Sequence, residues 1–143
     1  MEYKYSHLQL ALREYGTHGI LGAKHNNKII DYFKIAGHPQ IKSDEVAWCA
    51  AFLSYILNTA TGSKFNYLAA RQFLNIGKET KKPELGDIVV FWRDDPKSWK
   101  GHVGIYISEN EKEIFCLGGN QKNTVDISKF LKSNVLQFRK LSN

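Results

Sequence analysis

Trp48-Cys49-Ala50-Ala51-Phe52-Leu53-Ser54-Tyr55-Ile56-Leu57-Asn58-Thr59-Ala60 carries the plainest helical pattern in the chain. Val46, Ala50, Leu53, Ile56, Leu57 and Ala60 recur at spacings of three and four, which sets them on one face of a helix. Ser43 or Asp44 can cap its start, and Gly62 closes it. A cysteine near the first turn of such a helix stands where free N–H groups and aligned peptide dipoles favour a thiolate. An unpaired cysteine is equally at home as a small buried residue, so Cys49 alone decides nothing.

Outward from this helix the chain divides in two. Upstream, Leu8, Ala11, Leu12 and Tyr15 recur at helical spacing and stop at Gly16. Asn26 or Asn27 can cap a second helix with Ile29, Ile30 and Phe33 as its apolar face and Gly37 and Pro39 at its end. A shorter helix is expected over Ala69 to Ile76. After Pro83 the texture changes: Ile88-Val89-Val90-Phe91-Trp92, introduced by Gly86-Asp87, reads as a central strand. His102 to Ile107, Glu113 to Leu117, Thr124 to Ile127 and Val135 to Leu141 supply further strands. Helices first and strands second predict an α+β fold, with N-terminal helices packed on a C-terminal antiparallel sheet. The 143 residues suffice for one core, so a single domain over 1–143 is expected.

Composition removes several classes. With 43% apolar and 24% charged residues, no apolar run approaches the ~18 residues of a membrane span, and membrane insertion is not expected. Met1 to His7 lacks the basic, apolar and small-residue succession of a secretory signal, which predicts a protein made in the cytoplasm. A net charge of +6 favours an acidic partner. The basic residues are scattered, however, with the densest runs at Lys78 to Lys82 and Lys97 to Lys100, so a solvated surface is the better reading and no nucleic acid partner is expected. Cys49 and Cys116 are too few for a disulfide scaffold and lack the spacing of a zinc motif.

His102 turns Cys49 into chemistry. His7, His18, His25 and His38 fall in helical or loop contexts among polar neighbours, whereas His102 opens an alternating strand between Gly101 and Gly104. A neutral imidazole there can take a thiol proton and return it to a leaving amine. A third group must orient the ring. If Asn110-Glu111-Lys112 is a three-residue hairpin loop, Glu109 pairs with Glu113 and His102 faces Asn120, with Cβ atoms roughly 5 Å apart. A two- or four-residue loop sets Gly119 there instead and asks for a bulge, and Gly118-Gly119-Asn120 taken alone reads equally well as a turn. Gln121 is the second candidate for the orienting amide. The Cys49 N–H is the economical oxyanion donor, and Trp48, Gln121 and Asp44 are candidates for the oxyanion and substrate groove. By default Asp44 is a capping acid and Trp48 a core residue.

Six stretches taken in order carry a family resemblance: His25-Asn26-Asn27-Lys28-Ile29-Ile30, Asp44-Glu45-Val46-Ala47-Trp48-Cys49-Ala50-Ala51-Phe52, Ala70-Arg71, Gly86-Asp87-Ile88-Val89-Val90-Phe91, Gly101-His102-Val103-Gly104 and Leu117-Gly118-Gly119-Asn120-Gln121. Here the chain resembles the CHAP and NlpC-type cysteine amidohydrolases and peptidases, papain-like enzymes that cut bacterial peptidoglycan. It is most similar to a small bacterial and phage subfamily. The resemblance implies a nucleophile at Cys49, a base at His102 and an orienting residue at Asn120, without metal or cofactor. It implies hydrolysis of an amide bond, between muramic acid and L-alanine or within the peptide stems and bridges. A lysin or a secreted antibacterial effector fits a chain without a signal sequence, acting in the periplasm or wall after non-Sec delivery or lysis, with a cognate immunity protein as a further expected partner. The alternative is a non-catalytic wall- or glycan-binding domain on the same fold.

Overall fold

Residues 5–20, 25–43 and 47–141 are described, from a computed structural model. Three helices, α1 (Ser6–Arg13), α2 (Asn27–Ile35) and α3 (Cys49–Thr61), come first. A 3-10 helix over Ala70–Asn75 follows. Then come strands β1 (Lys78–Thr80), β2 (Ile88–Trp92), β3 (Gly101–Glu109), β4 (Glu113–Gln121), β5 (Thr124–Leu131) and β6 (Val135–Lys140). The α+β division expected from the sequence is the one found.

Local chemistry explains the helix ends. Asn26 caps α2 by accepting the Lys28 N–H at 2.8 Å. At its other end Gly37, with φ +87°, lets the His38 N–H reach Phe33 O and the Gly37 N–H reach Lys34 O, a Schellman close. α1 buries His7, Leu8 and Ala11. Leu12 and Tyr15, expected on its apolar face, stand exposed: Leu12 lies off the buried face, and Tyr15 follows the end of the helix at Arg13, where the chain turns at Gly16 to run against β5. There the Gly16 N–H donates to Val125 O and the Val125 N–H to Thr17 O.

The sheet order is β1-β6-β2-β3-β4-β5, and every pairing is antiparallel. Alternation sorts its side chains between two faces. Ile88, Val90, Val103, Ile105 and Leu117 join the helices in the main core, while Val89, Phe91, Tyr106, Ile114 and Cys116 form a smaller cluster on the other face. β1 escapes the sequence reading because its three residues, Lys-Glu-Thr, have no apolar alternation to betray a strand.

α3 packs on β3 and β4, and one glycine sets how closely. A Cβ at Gly119 would lie 2.7 Å from Phe52 Cβ and 2.8 Å from Trp48 Cζ3. Gly119 is therefore required by the approach of strand to helix and not by a turn. Gly119→Ala is expected to destabilise the fold by about 1–3 kcal/mol through overpacking. Urea unfolding tests this, with a lower midpoint at unchanged slope expected; an unmoved midpoint would show slack between β4 and α3.

Candidate active site

α3 begins at Cys49, several residues later than a cap at Ser43 or Asp44 would put it. Ser43 lies outside the helix, and Asp44 lies outside the described residues. Trp48 is the N-cap, and its ring is fully buried against Tyr32 and Phe52, with centroids 6.0 and 6.4 Å away. Its indole N–H points to Asn123 Oδ1 at 3.4 Å. Trp48 is thus a core anchor that pins the helix start, its default reading, and it does not take the groove position for which it is a candidate. An indole has no oxygen to cap with, and the first helical bond runs from the Phe52 N–H to Trp48 O. The Cys49 N–H therefore has no intrahelical partner, and Cys49 occupies the first helical position, where the dipole effect is greatest.

His102 stands at the start of β3, opposite Phe91 of β2. Its ring stacks on Phe130 with centroids 4.9 Å apart, which limits rotation. Its Nε2 lies 2.9 Å from Gln121 Oε1. The amide cannot be turned round, because Gln121 Nε2 faces three acceptors: Cys116 O at 3.1 Å, Asp126 O at 2.9 Å and Asp126 Oδ1 at 2.8 Å. Asp126 Oδ1 also accepts the Ser128 hydroxyl at 2.6 Å. An amide oxygen only accepts, so His102 Nε2 carries a proton and donates it. Nδ1 is left as the basic nitrogen, the one available to Cys49.

Asn120, expected in this role, does not fill it. The hairpin departs from a three-residue loop by one, pairing Glu109 with Ile114 across Asn110 to Glu113, and a bulge at Ile107 then restores the count so that Ile105 pairs with Leu117. Continued from there, His102 would still face Asn120. A second irregularity between Gly118 and Gln121 adds a residue to β4, and Asn120 takes it up in the left-handed region with φ +57°. Its carboxamide is carried off the ladder, and Gln121, buried at 3% exposure, meets the imidazole. The turn lies further on, at Lys122-Asn123, both with positive φ as a two-residue type I′ hairpin demands. Gly118 serves the same geometry: a Cβ there would collide with Gln121 Oε1.

Electrostatics arm the pair. Burial pushes the Cys49 thiol up, but its hydrogen bond to His102, the imidazole charge and backbone hydrogen bonds from Val103 and Ala50 outweigh this and hold it below its ordinary value. Burial pushes His102 down; the hydrogen bond and charge of Cys49, with the Gln121 contact, outweigh burial and the opposing Arg93 charge and leave it raised. A lowered thiol beside a raised imidazole favours a thiolate–imidazolium pair. Cys116 is the contrast, since burial raises it strongly and keeps it a neutral thiol. Both cysteines are free.

The ring of His102 also forms part of the wall of a cleft of about 230 Å³, with Arg93, Asn120, Lys122, Lys129 and Phe130 around it. A larger hollow, about 430 Å³ between the helices and lined by Glu14, Lys28, Tyr32 and Tyr55, shares no residue with the pair. Among the described residues, no group of three or more His, Cys, Asp and Glu side chains converges as metal ligands would, and no helix is long and apolar enough to cross a membrane. Sequence reasoning missed Arg93 and Asp126. Nothing in their local sequence marks them, because both owe their place to strand pairing.

The sequence profile of the CHAP domain matches residues 41–120, more than half of the chain. The chain belongs to the CHAP family. CHAP domains are typically cysteine peptidases or amidases of the peptidoglycan hydrolase type, and here the matched span contains both Cys49 and His102. The fold of this CHAP protein is similar to a solved NLP/P60-family structure, described as similar to lipoprotein, from Staphylococcus aureus subsp. aureus Mu50. The two are 16% identical, with a TM-score of 0.55 over 100% of this chain and 44% of that one, so the CHAP chain spans less than half of that protein's length. No curated protein sequence matches the chain.

Proposed function

We propose that this CHAP protein hydrolyses an amide bond of bacterial peptidoglycan, with Cys49 as nucleophile, His102 as acid and base, and Gln121 as the group that orients His102. The observation that supports this most is the fixed Gln121 amide. Its nitrogen is engaged by Cys116 O and Asp126, so its oxygen holds His102 Nε2–H and leaves Nδ1 to the sulfur.

The Cys49 thiolate attacks the amide carbonyl carbon, and the developing oxyanion is met by the Cys49 N–H at the start of α3. As the C–N bond breaks, His102 Nδ1 gives its proton to the leaving amine. Water then attacks the thioester, with His102 taking its proton. The acid is released and the thiolate–imidazolium pair is restored.

Digestion of purified sacculi under reducing conditions tests the reading. The wild type is expected to release fragments whose masses carry new amine and carboxyl ends, and Cys49→Ala to release none. Equal release by both would overturn Cys49 as nucleophile, and release by neither would overturn the hydrolase reading and leave the non-catalytic wall-binding alternative. The new ends also identify the bond, separating an amidase from an endopeptidase. A lysin or a delivered antibacterial effector, restrained by a cognate immunity protein, remains the biological setting that we propose.

A further inference from the structure

The cleft beside His102 has a charge pattern that hydrolysis alone does not explain. Arg93 enters it from the end of β2, Lys122 from the β4–β5 turn and Lys129 from β5, and no Asp or Glu lines it. Among the described residues none of these three cations is held in an ion pair, whereas Lys81, Lys100, Lys132 and Lys140 all are. Three like charges around a hollow repel one another until an anion enters, so the empty cleft is an attractive site for negative charge.

Its dimensions narrow the choice of anion. At about 230 Å³ the cleft is smaller than the ~300–1,000 Å³ of pockets that enclose a whole ligand, and suits one charged group on a short stem. Phe130 gives that stem an apolar wall. The catalytic imidazole is part of the lining, so the anion must lie a short reach from the scissile amide. An acidic group at that distance is most simply on the same peptide. A guanidinium presents a planar fork that matches a carboxylate, which makes Arg93 the leading contact.

We infer that this cleft binds a free carboxylate of the peptide stem beside the bond to be cut, so that stems whose acidic residue is left unamidated are preferred. The inference rests on the peptidoglycan reading above and deepens it. Arg93, Lys122 and Lys129 act on binding of the substrate, and Cys49 and His102 carry the chemical step.

The test uses matched muropeptides that differ only in a free carboxylate or its carboxamide, varied at each acidic position of the stem in turn. For one pair the free acid is expected to have a KM about tenfold lower, the size of one lost charge-assisted hydrogen bond, with kcat little changed. Arg93→Gln is expected to abolish the KM difference between acid and amide by raising KM for the acid; any effect of the lost charge on His102 falls on both substrates alike, so the acid-to-amide KM ratio is the readout. Lys64→Gln, beyond the far end of α3, is the control cation and is expected to change neither. Equal KM for acid and amide in the wild type at every position, or full discrimination retained by Arg93→Gln, would overturn the inference while leaving the hydrolase intact. Inhibition by inorganic phosphate without discrimination between the muropeptides would make the cleft a general anion site and overturn it likewise. If no muropeptide and no sacculus is cut, the hydrolase reading falls and takes this inference with it.

Discussion

Cys49→Ala and His102→Ala are each expected to lower kcat on a peptidoglycan fragment by about 10⁶-fold, and the double variant by no more than either alone. The reason is that the two side chains act as one unit. Without the sulfur there is nothing for the imidazole to deprotonate, and without the imidazole the buried thiol loses the hydrogen bond and charge that hold its proton affinity down. Cys116 cannot substitute, because it is fully buried and its thiol is held protonated. Release of new amine ends from a muropeptide, with circular dichroism to show that each variant folds, measures this. Losses that add in the double variant, or turnover retained by Cys49→Ala, would assign the nucleophile elsewhere.

Gln121→Ala is expected to reduce kcat by about 10²-fold, the scale of a misplaced reacting group, and to change the pH profile in a definite direction. The thiolate–imidazolium pair requires Cys49 deprotonated and His102 protonated. Activity therefore rises with pH through the lowered thiol and falls through the raised imidazole, giving a bell. Gln121 is one of the groups that raise His102. Removing it lowers the imidazole, so the alkaline limb moves to lower pH and the bell narrows. Gln121→Asn, too short to span His102 and Asp126 together, should move the limb the same way. Asn120→Gly keeps the left-handed backbone of that position and makes no change at His102, so its alkaline limb should coincide with that of the wild type. A limb moved by Asn120→Gly and not by Gln121→Ala would return the orienting role to Asn120. A purely structural role for Gln121 would lower the amount of folded protein and leave the limb where it was.

The layout of the fold was legible because its signals are local. The apolar spacing of α3, the Asn26 cap and the run Ile88 to Trp92 each follow from neighbours in sequence. Cys49 and His102 were legible for a related reason, since each stands at the start of an element that announces itself. The orienting amide was not. Its place depends on the sum of a shifted hairpin, a bulge at Ile107 and a second irregularity at Asn120, and each shifts the count by one. The first two cancel and the third does not, so a one-residue displacement separates Asn120 from Gln121. The start of α3 was misjudged because propensity favoured an oxygen-bearing cap, while the burial of Trp48 fixes the end three-dimensionally. Arg93 and Asp126 gave no signal at all.

Among the described residues β6 is the last strand in sequence, yet it lies inside the sheet, between β1 and β2. In a chain made from its N-terminus, β1 and β2 therefore cannot be joined in one sheet until β6 has been made. Cys49 is translated before His102, and His102 before the Gln121 that it bonds. Until His102 has been made, the Cys49 thiol lacks the hydrogen bond and the charge that hold it below its ordinary value. Order of translation and order of strands in space together make the insertion of β6 the closing step of the sheet, after Cys49, His102 and Gln121 have all been made.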